Sequence, residues 1–393
     1  MEKVLIVGGG VAGDTLAVML GRAGWDVTVA ELAPRLRSGG QTVDLRGSSA
    51  TVLDRLGLLE DAEQRLVAQR GIAWVDASGR VLGRMPVEAF DGRGFVSERE
   101  LLRLDLAQLL HDAAAGVVTE YRFGETVETL REGADGVRVE LRSGRSARYD
   151  LVVGADGTHS RVRALVHGPE GQFRRALGLS HAWFTLHEQQ GTPRLHGWWL
   201  SHNALQRRNV EARPGHPGQQ EIGFTFTTPA LPPRGDREAQ LQLLRDRFAG
   251  VGWRTPELLH QVGSADDFAM DTFDQIHAPR WHTGRTVLLG DAAWCASPLS
   301  GLGTALALLG ADALATSLTT SPRTTTPDQA LAGFERSMRP KVKAAQRLLP
   351  GRVRMIAPQT HLGSRATIGL YRAVQAAPLG TLLTKAAGRR GHE

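Results

Sequence analysis

The stretch VLIVGGGVAGDTLAVMLGRAGWDVTVAE, Val4 to Glu31, sets Gly8, Gly10 and Gly13 between two apolar runs and ends on an acid. Val4 to Val7 is continuous in the way a buried parallel strand is, Ala12 to Gly21 has helical spacing, and Val27 to Ala30 reads as the next buried strand. The pattern predicts a βαβ unit. Gly8 permits the tight turn out of the strand, Gly10 lets the backbone approach a pyrophosphate, and Gly13 lets the helix pack close to the sheet. Phosphate would then sit on the helix N-terminus, against the amides of Val11 and Ala12. Glu31 stands about twenty residues on, where a carboxylate can accept hydrogen bonds from ribose hydroxyls. Asp14 suits the helix dipole but lies close to a bound pyrophosphate, so its side chain is expected to point away.

The remainder of the composition narrows the class. At 393 residues with 41% hydrophobic side chains, the chain can build one large domain or two ordinary ones. Its 47 basic and 41 acidic residues are scattered, without a lysine block, which argues against a nucleic-acid partner. The single cysteine, Cys295, excludes an intrachain disulfide, and no Cys/His cluster has zinc spacing, so no metal is expected. Met1 leads straight into a strand pattern with no basic leader, and no apolar run reaches the roughly eighteen residues that span a bilayer. The expectation is a cytoplasmic protein without stable membrane insertion.

Two later segments repeat the strand-into-glycine theme. YDLVVGADGTHSRVR (Tyr149 to Arg163) ends a strand in Gly154, Ala155, Asp156 and Gly157, and RTVLLGDAAWCASPLSGLGTALALLGADAL (Arg285 to Leu314) runs through Gly290 and Asp291 into a Pro298 loop and an amphipathic helix. In this order and spacing the three elements resemble the aromatic-hydroxylase group of FAD-dependent monooxygenases. The likeness is above all to tetracycline-inactivating flavin monooxygenases and actinobacterial relatives of secondary metabolism, and it runs from Lys3 to about Leu349. It implies an α/β chain with a glutathione-reductase-type FAD-binding Rossmann fold, an interwoven antiparallel-sheet substrate domain and C-terminal helices. The FAD-binding domain would comprise 1–70, 95–166 and 280–349, the substrate domain 71–94 and 167–279, and a C-terminal helical segment 350–393.

The same resemblance assigns roles. Asp291 would accept a ribityl hydroxyl of FAD, Asp156 would support the cofactor loop, and Arg103 would meet the cofactor near its phosphates. Asp44 and Arg46 would lie beside the isoalloxazine ring. In SPLSGLGT (Ser297 to Thr304), a helix opening at Gly301 or just after it would aim free N–H groups at the flavin N1 and O2 edge, with Leu302 and Gly303 in the same turn. Pro298 would stand near the place where a flavin C4a hydroperoxide forms. Trp294 and Cys295 depart from the His and aliphatic residues often found there; Trp294 either narrows the flavin pocket or packs in the core.

There is no second GxGxxG unit, so NADPH or NADH is expected as a transient reductant. The partners implied are O2 and an apolar or aromatic small molecule, with the protein a monomer or weak homodimer. Runs such as HAWFTL, HGWWL and EIGFTFTTP predict an antiparallel sheet, joined by a hairpin over Gly71 to Val87. Trp183, Trp198, Trp199, Phe224 and Phe226 are candidates to line a substrate pocket, although strand alternation sends about half of such residues to the far face. Gln329 to Leu349 and Arg365 to Ala387 read as helices. One alternative remains open: a non-redox cyclase of natural-product biosynthesis that binds FAD and uses the same pocket.

Overall fold

Lys3–Val7 takes the centre of a six-stranded sheet, as its unbroken apolar run predicts. In the computed structural model its parallel neighbours are Asp26–Glu31 on one side and Leu151–Gly154 on the other. Glu120–Phe123 and Thr286–Leu288 extend the sheet outward, and the short strand His282–Thr283 closes one edge antiparallel. The structure describes residues 2–36, 39, 41–45, 47–89, 96–320, 326–348, 351–360, 362–366, 368 and 369. Arg46, and residues 367 and 370–387 of the expected last helix, lie outside the described residues.

Helix Val11–Arg22 covers one face of this sheet and packs on helix Gly303–Thr320, placing the starts of the two glycine-led helices in neighbouring elements. Gly21 makes another close approach, because a Cβ there would meet the Val117 carbonyl oxygen at 2.8 Å. Leu5, Ile6, Leu16, Leu20, Val29 and Val153 are fully buried in the resulting core. Helix Pro327–Gln346 begins with a complete capping box, Thr326 and Gln329 satisfying each other's backbone amides.

The second sheet has seven strands, ordered Ala269–Ile276, Arg174–His187, Gln219–Phe226, Arg208–Pro214, Trp198–Leu205, Gly71–Val75, Val81–Pro86. The Gly71–Val87 hairpin joins this sheet, with Gly71–Val75 parallel to Trp198–Leu205. Register divides the aromatic residues between its faces. Ala182 pairs with Phe224 and Phe224 with Val210, and this face packs on helix Arg237–Phe248. The opposite face carries His181, Trp183, Thr185, Glu211, Arg213, Glu221 and Thr225 and meets the first sheet's domain through Gln41 and Glu100.

Candidate functional site

The dinucleotide turn is tight on every side but one. Gly8 has φ +105°, and a Cβ on it would collide with the Ala155 carbonyl oxygen and stand 2.8 Å from Asp156 Cα. A Cβ on Gly13 would collide with the Gly8 carbonyl oxygen, whereas one on Gly10 would meet nothing within 4 Å. Gly10 therefore faces open space, directly before the helix whose first amides, Val11 and Ala12, have no intrahelical acceptor.

Glu31 stands beside this turn, but with a task the sequence does not show. Its Oε2 accepts the Gly9 N–H at 2.8 Å and its Oε1 the Ala33 N–H at 2.8 Å, so the carboxylate braces the turn while each oxygen keeps a further lone pair. Asp14 turns inward, fully buried, with Tyr121 donating its hydroxyl to Oδ1 at 3.1 Å. Burial, with a smaller contribution from Glu31, pushes its pKa up to about 7 against the Tyr121 bond.

Two further loops approach this turn, and a third leads into the helix packed on Val11–Arg22. Gly290, at φ +64°, sits where an added Cβ would be 3.0 Å from Ala12, which brings Asp291 to the start of the first helix. The Asp291 side chain is accessible but ringed by protein, and that desolvation raises its pKa while the charge of Arg103 opposes the rise. Arg103 is exposed and opens helix Arg103–Ala115, its N–H donating to the Gln41 carbonyl at 3.1 Å. Strand Thr42–Asp44, half-buried, pairs antiparallel with Glu100–Leu102, which sets Thr42 opposite Leu102 beside that helix start and Asp44 opposite Glu100.

The third loop runs from Ser297, itself left-handed at φ +73°, through a single 3₁₀ turn at Pro298–Ser300. The helix opens at Gly303, two residues beyond Gly301, because Gly301 takes φ +69° and interrupts it. Pro298 and Leu302 are exposed, and added Cβ atoms on Gly301 or Gly303 would meet nothing within 4 Å. Leu299 anchors the loop in a small cluster with Leu179, Phe273 and Ala357.

Asp156 does not face the cleft with its carboxylate. It accepts from the Ser160 hydroxyl at 2.5 Å and the Val162 N–H at 3.0 Å, tying down the loop that abuts Gly8. Arg163, the second arginine of the polar turn, is fully buried and donates to the carbonyls of Ala292 and Thr158 and to Glu170. An RVR triplet after a turn reads as solvated surface, so its role was invisible in the sequence.

The aromatic candidates divide. Trp183 lies half-buried on the inner face, stacked on His181. Phe224 and Phe226 are fully buried on the outer face against Phe248, which takes them out of the cleft. Trp198 also points outward, beneath Arg70 and Arg84, while its neighbour Trp199 points inward with the Arg213 guanidinium 4.0 Å from its ring. Trp294 packs on Trp281 at 4.4 Å and on Gly310, so it is core. Cys295 is buried, and desolvation pushes its thiol pKa up, away from reactivity.

The inner face is more polar than the sequence suggests. Arg213 pairs with Glu100 at 3.4 Å, Glu221 accepts from Thr185 at 3.0 Å, and burial pushes Glu221 up to about 7. Glu211 is raised by the same cause, opposed by Arg213. Among the described residues no group of three potential ligands could hold a metal, and no helix is long and apolar enough to cross a membrane.

A family model described as "FAD binding domain" matches residues 1–348. The chain belongs to this FAD-binding family of flavin-dependent monooxygenases. It is 41% identical over 322 residues to an uncharacterised Mycobacterium tuberculosis protein, spanning 80% of this chain and 84% of that one. It is 33% identical to the FAD-dependent monooxygenase asL4 of Sarocladium schorii, over 80% of this chain and 74% of that protein. Among solved structures, the tetracycline destructase Tet(51) superposes with a TM-score of 0.79 at 27% identity, covering 96% of this chain and 99% of that one.

The cleft of this flavoprotein suits FAD. Gly10, Gly301 and Gly303 leave open the space that a side chain would fill, helix N-termini border it at Val11 and Gly303, and Asp291 and Arg103 offer an acceptor and a donor beside it.

Proposed function

We propose that the protein is an NAD(P)H-driven monooxygenase that inserts one atom of O2 into an aromatic small molecule bearing polar substituents. The observation that carries this reading is the open side of the Gly10 turn, where a Cβ on Gly290 would stand 3.0 Å from Ala12 and Asp291 feels the charge of Arg103. The balance is substrate, O2, NAD(P)H and a proton giving hydroxylated substrate, water and NAD(P)+. Bound FAD would supply the relay of reducing equivalents from nicotinamide to O2.

The chain's own residues bind and orient. Gly10 and the amides of Val11 and Ala12 would receive the pyrophosphate on the turn that Gly8 and Gly13 shape, Glu31 the adenosine ribose, and Asp291 a ribityl hydroxyl, with Arg103 alongside. The amides at the start of helix Gly303–Thr320, preceded by the Pro298–Ser300 turn, would face the ring edge of bound FAD where negative charge develops. Asp44 and Pro298 would border the same place. Trp183 and Trp199 offer aromatic walls, and Arg213, Glu211 and Thr225 offer polar contacts, which favours a ring carrying hydroxyl or carbonyl groups over a purely apolar substrate. FAD and this substrate would meet inside one water-poor cleft, in a chain that works in the cytoplasm as part of secondary metabolism.

The test is direct. The purified protein is mixed with NADPH or NADH and a panel of hydroxylated aromatics under labelled oxygen. One labelled oxygen atom in product, with flavin bleaching and recovery, is the expected result. Turnover of substrate without reductant would replace this reading with the cyclase.

A further inference from the structure

His181 is 3% exposed on the inner face of strand Arg174–His187. Its ring lies between Trp183 and Phe273, with centroids 5.9 and 5.5 Å away. Gly223 makes room for it, because a Cβ there would stand 2.8 Å from His181 Cε1. Nδ1 is 2.8 Å from Thr225 Oγ1, within the same sheet, and Nε2 touches the side-chain amide nitrogen of Gln41, which belongs to the other domain.

The chemistry of these partners fixes the ring. With the Gln41 amide turned this way its nitrogen donates, so Nε2 accepts and the ring hydrogen sits on Nδ1, facing Thr225. Burial and the nearby Arg213 push the pKa down to about 3, which keeps the imidazole neutral in this tautomer. Gln41 in turn carries two elements of the candidate site: its carbonyl receives the Arg103 N–H, and the next residues form strand Thr42–Asp44. The charge of Arg103 is felt at Asp291.

We propose that His181 is a positioning residue, holding Gln41 through Nε2 and thereby setting Arg103 and Asp44 against the substrate sheet. This rests on the reading of the cleft as an FAD site. Stacking and the Thr225 bond would seat the ring in the sheet by themselves; only Nε2 reaches across. A glutamine at 181 can still place an acceptor near Gln41, whereas an asparagine keeps only the Thr225 side and a phenylalanine keeps only the volume.

The experiment titrates apoprotein with FAD by flavin fluorescence and follows flavin reduction by NADPH in stopped flow, for wild type, His181→Phe, His181→Asn, His181→Gln, Gln41→Ala and the double variant His181→Phe/Gln41→Ala. We expect His181→Phe, His181→Asn and Gln41→Ala each to weaken FAD binding or slow reduction by about tenfold, the double variant to be no worse than the singles, and His181→Gln to recover to within about twofold of wild type. Wild-type behaviour of Gln41→Ala, additive losses in the double variant, or equal rescue by Asn and Gln would overturn the proposal. Should His181→Phe fail to fold, Gln41→Ala and His181→Gln decide it. A wild-type protein that NADPH cannot reduce would sink the monooxygenase reading, while the FAD titrations would still test His181.

Discussion

Arg163 donates from Nη1 to the carbonyl oxygen of Ala292 at 2.9 Å, joining residues 129 apart in sequence. Ala292 follows Asp291, and Nη2 of the same guanidinium holds the Thr158 carbonyl in the loop that packs on Gly8. One buried cation therefore ties the segment that carries Asp291 to the loop that backs Gly8. Arg163→Met should leave both carbonyls without this donor and Glu170 with His159 alone, costing about 3 kcal/mol of stability and loosening FAD. Thermal melts and flavin content after gel filtration check this; an unchanged melt would show the guanidinium to be replaceable.

For Asp291, the expected effect falls on the cofactor. Asp291→Ala removes the accessible carboxylate beside Arg103 and should weaken FAD binding by about 1.5 to 3 kcal/mol, roughly ten- to a hundredfold. Full flavin occupancy of that variant at low micromolar FAD would remove Asp291 from the site.

The two loop glycines separate fold from ligand. Gly301 has φ +69°, so a branched side chain there is strained whatever surrounds it, by about 1 to 2 kcal/mol. Gly303 is helical and an added Cβ meets no protein atom within 4 Å. Gly303→Val should therefore leave the apoprotein melt nearly unchanged while impairing FAD binding or reduction, and Gly301→Val should lower both. An equal melting loss in the two variants would contradict the open cradle.

The βαβ unit was legible because its signals are local: an apolar strand, glycines at fixed offsets and an acid at the next strand end all depend on neighbours in sequence. Facing was not. Phe224 and Phe226 have the same parity, and nothing within EIGFTFTTP says which face that parity takes; pairing with Ala182 and Val210 across the sheet decides it. Arg163 and His181 escaped for a related reason, since Ala292 is 129 residues from Arg163, and Thr225 and Gln41 are 44 and 140 residues from His181. Asp14 was visible as an oddity, but its Tyr121 partner is 107 residues away.

Asp14 predicts a pH dependence. Its folded pKa, about 7, is above its unfolded value of 3.8, so the native state holds its proton more tightly. The stability from the neutral acid is complete below pH 4 and is lost as pH rises through about 7, with a ceiling on the order of 4 kcal/mol at about 1.36 kcal/mol per pKa unit. Glu221 has the same sign and adds to the slope. Asp14→Asn should flatten part of the fall in urea midpoint between pH 5 and pH 8 and be relatively more stable at the upper end. A parallel decline in variant and wild type would mean that Asp14 does not carry it.

The facing of the aromatic residues gives the sharpest contrast between packing and recognition. Phe224 is fully buried against Phe248 on the outer face, so Phe224→Ala should open a cavity and cost about 3 to 5 kcal/mol. Because its side chain is on the far side of the sheet from the cleft, KM of the remaining folded enzyme should stay within about twofold of wild type. Trp199 is half-buried on the inner face, its ring under Arg213. Trp199→Ala should cost less stability and raise KM for an accepted aromatic substrate by about an order of magnitude, through the lost wall and the freed guanidinium. Trp198→Ala, one residue away, removes only a ring sandwiched by Arg70 and Arg84 outside the cleft and should leave KM alone. Melting and steady-state kinetics on the three variants check this division, and a KM effect from Trp198 equal to that from Trp199 would mean that the cleft does not lie along the inner face.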